Sequence, residues 1–296
     1  MSVTSTTHAT GGRADREREE LRARLHRMWS AVAPGWAQHS AYIDQRAARL
    51  TNELLALAGP RPGERILELA CGPGGLGLAA APRVAPGGEV VLSDVVPEMT
   101  AIAAQRAAAL GLENVSARVL DLEHIDEPDG SYDIVLCREG LMFALDPARA
   151  AREIHRVLRP GGRVALAVWG PRARNPWLAV VFDAVSAQLG ATVPPPGVPG
   201  PFSLEDSQRL AAILSDAGLA QVTIRELAVP LHADSFEEWW KRTSALAGPL
   251  AKVLESLPEP AVDEIRARLR DATRPYQNAC GIELPGLALV VAGHRT

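Results

Sequence analysis

The chain has 296 residues, 47% of them hydrophobic and 22% charged, with a net charge of -4. That is enough apolar material for one large or two ordinary domains around a sizeable core, without the basic surplus that nucleic-acid binding requires. Three widely separated cysteines, Cys71, Cys137 and Cys280, suit neither a disulfide framework nor a zinc knuckle, and no apolar run reaches the roughly 20 residues of a membrane span. The expectation is a cytoplasmic, reduced protein, monomeric or homodimeric, with no nucleic-acid or membrane partner and no carboxylate and histidine cluster that recommends a metal. The opening MSVTSTTHATGG lacks the apolar core of a signal peptide and reads as a disordered tail over 1–12. Charged, helix-favouring sequence occupies 13–30, breaks at Ala33-Pro34-Gly35 and resumes over 36–57, predicting an N-terminal helical lid at 13–58.

After Gly59-Pro60-Arg61-Pro62-Gly63, the core segment 59–170 alternates apolar runs with helical stretches. Strands are predicted at 65–69, 89–93, 115–119, 132–137 and 162–169, and helices at 75–84, 97–110 and 147–158. This alternation specifies an α/β, doubly wound fold with right-handed crossovers. In 171–296, helices at 178–189 and 204–217 and strands at 221–227 and 287–292 continue the sheet, and a helical insertion near 235–275 is expected to cap the site.

The most informative stretch is ERILELACGPGGLG, from Glu64 to Gly77. An apolar strand ends in the acid Glu68, and Gly72, Gly74, Gly75 and Gly77 follow where the backbone must turn sharply and approach a ligand. The free amides of the next helix point back at that ligand. Gly72, Gly74 and Gly77 also fit the GxGxxG of dinucleotide-binding enzymes. Glu68 points elsewhere, because a carboxylate at the strand end repels a pyrophosphate and attracts an ammonium group. The inferred ligand is cationic or zwitterionic.

Asp94 ends the second strand in VVLSD, where it can accept both hydroxyls of a ribose or serve as a first-turn acid for the next helix. Met99 follows five residues later, suited to an adenine face or to the core. Asp121, in VLDLE, can accept the adenine amine or cap a turn. With Glu68, these acids stand at the carboxyl ends of three successive strands, the edge at which open α/β sheets bind ligands.

ILELACGPGG, the acids of VVLSD and VLDLE, SYDIVLCREGLMF and EIHRVLRPGGRVALAVW occur in that order. Through them the chain resembles the class I S-adenosylmethionine-dependent methyltransferases, in the small-molecule branch related to ubiquinone and menaquinone methyltransferases, over about 29–169. The resemblance implies a Rossmann-like seven-stranded sheet with its last strand antiparallel, and S-adenosyl-L-methionine as cofactor. It assigns Tyr42, Glu68, Gly72, Gly74, Asp94, Met99, Asp121, Leu122, Cys137 and Arg138 to the cofactor. Within that set Glu68 and the glycines meet the methionine part, Asp94 the ribose, Met99, Asp121 and Leu122 the adenine, and Cys137 and Arg138 the sulfonium end. LRPGG, at 158–162, reads as a turn that orients the fifth strand.

A sulfonium already activates its methyl group, so the protein must align a nucleophile, exclude water and, for a hydroxyl or acidic carbon, supply a base. Glu139, after the fourth strand, is the first candidate, unless it only pairs with Arg138. His39 is the second, ahead of His155 and His232. Trp36, Met142, Phe143 and Trp240 are assigned to the acceptor, with Trp29, Tyr42 and Trp239 completing an aromatic roof. The reading is methyl transfer to an O, N or C atom of a small apolar or aromatic acceptor, in secondary metabolism. The alternatives are a nucleotide-dependent oxidoreductase and a cofactor-binding protein of this fold without methyl transfer.

Overall fold

The computed structural model describes residues 7–296. Helices α1 (Thr7–Gln38) and α2 (Ser40–Ala58) come first. The core then runs β1 (Arg65–Glu68), α3 (Gly75–Val84), β2 (Glu89–Asp94), α4 (Pro97–Ala109), β3 (Val115–Val119), β4 (Tyr132–Arg138), α5 (Pro147–Val157) and β5 (Leu158–Trp169). Beyond it lie α6 (Pro176–Leu189), α7 (Ser207–Asp216), β6 (Leu219–Ala228), β7 (Leu231–Ala233), α8 (Phe236–Leu246), α9 (Gly248–Ser256) and α10 (Glu259–Thr273). The chain closes with β8 (Gln277–Asn278), β9 (Gly281–Leu284) and β10 (Leu287–Arg295).

Seven strands form one sheet in the order β3-β2-β1-β4-β5-β10-β6. Neighbours from β3 to β5 are parallel, and β10 lies between β5 and β6, antiparallel to both. This is the expected seven-stranded fold with its last strand reversed. Strands β2 and β4 are buried along nearly their whole length because both faces of a parallel sheet are covered. The chain steps from β1 outward to β3, then returns to β4 on the other side of β1. Right-handed crossovers put the helices of the two halves on opposite faces, and a crevice opens at the carboxyl ends of β1 and β4, where the order reverses.

Four sequence expectations change. Residues 7–12, read as part of a disordered tail, are helical, as the charged segment behind them propagates the helix backward; residues 1–6 of that tail lie outside the described residues. The break expected at Pro34 is absent, and α1 continues through it. Neighbouring Val32 and Ala33 are buried, the Trp36 indole N–H donates to the Leu246 carbonyl at 2.9 Å, and Gly35 lies directly against the Ala245 carbonyl. Together these tertiary contacts offset the local cost of a helical proline.

The LRPGG turn is the irregular first part of β5: pairing jumps from Tyr132 with Leu158 to Ile134 with Arg163, and Gly161 takes a φ of +75°. The cap is also more than helices. Strands β7, β9 and β8 form a second sheet, and α6 shares its apolar cluster with α8 and α10 through Val181, Trp239, Ile265 and Leu269.

Candidate functional site

The loop after β1 is fastened to the end of β2. Cys71 N–H donates to the Ser93 carbonyl at 2.8 Å, the Ser93 hydroxyl to the Glu68 carbonyl at 2.7 Å, and Gly72 N–H to Asp94 Oδ2 at 3.0 Å. The second oxygen of Asp94 accepts Val96 N–H at 3.0 Å. Burial pushes the Asp94 carboxyl up, and these amides draw it back down. A carboxylate accepts about four hydrogen bonds, so Asp94 retains capacity for a ligand while holding the loop. Two non-glycine residues at the crevice carry positive φ, Ala70 at 50° and Glu139 at 60°. Each stores roughly 1–2 kcal/mol of backbone strain, held by the pairing on either side.

A cavity of about 260 Å³ opens there. Gly72, Asp94, Met99, Asp121, Leu122 and Arg138 line it, as do Tyr42, Trp36, Met142, Phe143 and Glu139. Eleven of the sixteen residues assigned from sequence thus share one cavity. Met99 packs with Ala33 and Val96 in a small apolar cluster and also lines the cavity. A Cβ on Gly72 would meet the Trp36 ring at 3.6 Å, so the indole lies over the glycine loop.

Glu68, Gly74, Cys137, His39 and Trp240 are not among the lining residues. Glu68 is 1% exposed, and its Oε2 accepts Gly77 N–H at 2.8 Å, so its carboxylate braces the loop from beneath. Gly74 caps α3, and its open side faces Leu92 and Ala103 rather than a ligand. Cys137 falls on the opposite face of β4 from Arg138 by strand alternation, and burial pushes its thiol up to about 12. His39 sits at the joint of α1 and α2, where burial, Arg242 and Lys241 lower its basicity. On α8 the adjacent Trp239, rather than Trp240, faces the cavity, while Trp240 packs against the cap cluster.

Glu139 does not pair with Arg138. Its Oε2 accepts Arg46 Nη2 at 3.0 Å, with the two side chains 12% and 11% exposed, and its Oε1 is buried without a hydrogen-bond partner. The Arg46 guanidinium stands over the Trp169 and Trp177 rings, at 5.4 and 5.7 Å. The Trp177 N–H reaches Asn175 Oδ1 at 3.3 Å, and fully buried Asn175 ties β5 to β10 through Gly170 and Leu287. Arg138 instead donates to the Thr51 hydroxyl at 2.6 Å.

Sequence reading passed over Arg22, His26, Arg46, Trp177 and Arg242, which also line the cavity. Arg46 had one available signal: it lies one helical turn from Tyr42, on the same face of α2. Among the described residues, no group of three or more His, Cys, Asp or Glu is arranged to hold a metal ion, and no helix is long and apolar enough to cross a membrane.

The position of Glu68 leads to a pH prediction. Burial raises its carboxyl to about 7 against the pull of Arg138 and the Gly77 amide, whereas an unfolded glutamate titrates near 4.3. The folded state therefore holds the extra proton between those values. The associated stability is complete below about pH 4.3 and is lost as pH rises through 7, by about 4 kcal/mol. Glu68→Gln is expected to remove this slope while keeping an acceptor for Gly77 N–H. Urea unfolding at pH 5 and pH 8 checks it, and identical slopes in the two proteins would refute the assignment.

The comparisons bear on the family and the fold. A family model described as a methyltransferase domain matches residues 60–179. The chain is 30% identical over 244 residues to the ubiquinone/menaquinone biosynthesis C-methyltransferase UbiE of Ectopseudomonas mendocina, covering 78% of this chain and 87% of that protein. It is 37% identical over 155 residues to nocamycin O-methyltransferase of Saccharothrix syringae, covering 49% of this chain and 55% of that one. The crystal structure of the YcgJ protein from Bacillus subtilis matches with a TM-score of 0.57 at 22% identity, over 83% of this chain and 97% of that chain, a likeness of fold.

Proposed function

The chain belongs to the class I S-adenosylmethionine-dependent methyltransferases related to the ubiquinone and menaquinone C-methyltransferases, and from that premise we propose a methyl transfer to an oxygen, nitrogen or carbon of a small apolar or aromatic acceptor, with Glu139 as base. The observation that carries the proposal is the make-up of the cavity wall, in which Met142, Phe143, Trp169, Trp177 and Phe182 accompany Glu139. That wall suits a flat apolar body with one acidic position. A relative named for a C-methyltransferase and another named for an O-methyltransferase support carbon or oxygen as the methylated atom. The nocamycin relative also supports a secondary metabolite as the acceptor.

The residues present fit the cofactor. Asp94 is a part-buried carboxylate at the cavity wall, suited to ribose hydroxyls, and Gly72 leaves room beneath Trp36 that a larger side chain would fill. Asp121 and Leu122 stand beside Met99 for the adenine, and Arg138 and Tyr42 complete the lining. When bound, S-adenosylmethionine supplies an electrophilic methyl group on a sulfonium. The chain's part is alignment and dryness: Trp29, Trp36 and Phe143 pack edge to face, at 6.2 and 5.0 Å between ring centroids, and exclude water from the reacting end. Glu139 is the base of this reading: Arg46 leaves its buried Oε1 uncommitted, and that oxygen turns toward the cavity to take the acceptor's proton.

Two measurements test the reading. Isothermal titration is expected to detect S-adenosylhomocysteine and not NAD, and an acceptor panel of phenols, quinols and amines is expected to release S-adenosylhomocysteine. Firm cofactor binding with no release across the panel would favour a cofactor-binding protein without methyl transfer. Glu139→Gln should lower turnover about 100-fold or more while leaving S-adenosylhomocysteine affinity within a fewfold. Unchanged turnover would remove Glu139 from the reaction.

A further inference from the structure

Helix α1 covers the cavity with one face: Arg22, Leu25, His26, Trp29 and Trp36 all line it, following the helical period. Its two ends are held differently. Toward the C-terminal end the attachment is apolar and buried, through Met28, Val32 and Ala33, with the Trp36 indole bonded to the Leu246 carbonyl at 2.9 Å. Toward the other end, Arg18 and Arg22 make polar ties to the sheet loops. Arg18 makes exposed contacts of 3.5 Å with Asp146 and the Leu145 carbonyl, the kind that solvent screens to little.

Arg22 is the stronger tie. Its Nη2 meets Glu123 Oε2 at 2.9 Å and its Nε meets Asp121 Oδ2 at 3.3 Å. Glu123 is itself 4% exposed, and its other oxygen accepts Leu145 N–H at 2.5 Å and Asp146 N–H at 3.1 Å. One buried carboxylate, with no part in the chemistry, thus joins the loop after β3, the loop after β4 and the covering helix. A charge-assisted bond to a buried acceptor is roughly twice as strong as a neutral one, so it holds this end of the helix down in the closed state.

We propose that Arg22 is the latch of α1: bridging Asp121 and Glu123, it holds the N-terminal part of the helix over the cofactor end of the cavity. The cofactor enters and leaves when this bridge opens about the pinned Trp36 end. The inference rests on the cofactor reading above but not on the identity of the acceptor or the role of Glu139.

Stopped-flow tryptophan fluorescence with S-adenosylhomocysteine tests it, since Trp29 and Trp36 report from the cavity wall. Arg22→Ala is expected to raise the association and dissociation rate constants together, roughly tenfold, leaving Kd within about threefold. Arg22→Met, which keeps the aliphatic stem, should do the same. Raising sodium chloride from about 50 to 500 mM should speed exchange in the parent and have little effect in Arg22→Ala. Arg24→Ala, on the exposed side of the helix, is the control and should exchange at the parent rate. Unaltered rates in both Arg22 variants would overturn the latch. A faster dissociation with unchanged association would also overturn it, because Arg22 would then hold the cofactor rather than the helix. Failure of the parent to bind S-adenosylhomocysteine would instead overturn the cofactor reading.

Discussion

Asp94→Ala is expected to weaken S-adenosylhomocysteine binding by about 2 to 3 kcal/mol, roughly 30- to 150-fold, measured by isothermal titration. Two losses add up. The ribose loses a charged acceptor, and Gly72 N–H and Val96 N–H lose the oxygens they now reach at 3.0 Å each, which releases the loop that shapes the site. Asp94→Asn separates them in part: its oxygen can still serve one amide, but its NH2 faces a second N–H donor, so most of the affinity should still be lost. Full retention of affinity in Asp94→Ala would reduce Asp94 to the helix-start acid that its sequence position also allowed.

The parts of this molecule that could be read from sequence are those set by local pattern. Strands β1 to β4 stand within one residue of their expected ends, and β1, β2 and β4 do so because each carries an apolar run that ends at an acid or an arginine, Glu68, Asp94 and Arg138. The order of acids at those ends carried the site in the same way, so Asp94, Asp121 and the Gly72 loop face one cavity. What stayed hidden depends on distant partners. The Arg46–Glu139 pair spans 93 positions, and no local signal tells glutamate which arginine it will meet. Strands β7 and β9, three and four residues long, pair with each other across the whole of α8, α9 and α10, too short to register as strands on their own. Pro34 was misread for the opposite reason: its local preference is strong, and buried contacts on both sides of it override that preference.

Histidine shows the same division. Of the residues proposed as bases, His39 fails on geometry, while His26, which attracted no notice as part of a charged helix, reaches the cavity close enough to Asp94 to favour its charged form. A covering helix contributes side chains at every third or fourth position, and which of its faces looks inward is decided by what lies beneath it. That information sits in the sheet, not in the helix.

Gly74→Val should damage the fold of the loop, and the reason differs from the close ligand approach that the glycine pattern suggests. Gly74 has a φ of +81°, and a Cβ there would stand 2.9 Å from Leu92 Cδ1 and 3.1 Å from Ala103 Cβ. A β-branched residue would incur the left-handed penalty and overpack the seam between β2 and α4, together about 3 kcal/mol, or roughly 6 to 12 °C in Tm. Gly72→Val is the counterpart: at a φ of +52° it incurs the same left-handed penalty, but its Cβ would meet only the Trp36 ring, at an ordinary 3.6 Å, in space the cofactor needs. Calorimetry and titration together should therefore separate the two glycines: Gly74→Val loses stability first and binding as a consequence, whereas Gly72→Val loses binding at a smaller cost in Tm. Equal stability losses in the two variants would contradict this division, in which one glycine admits the helix against the sheet and the other admits the ligand.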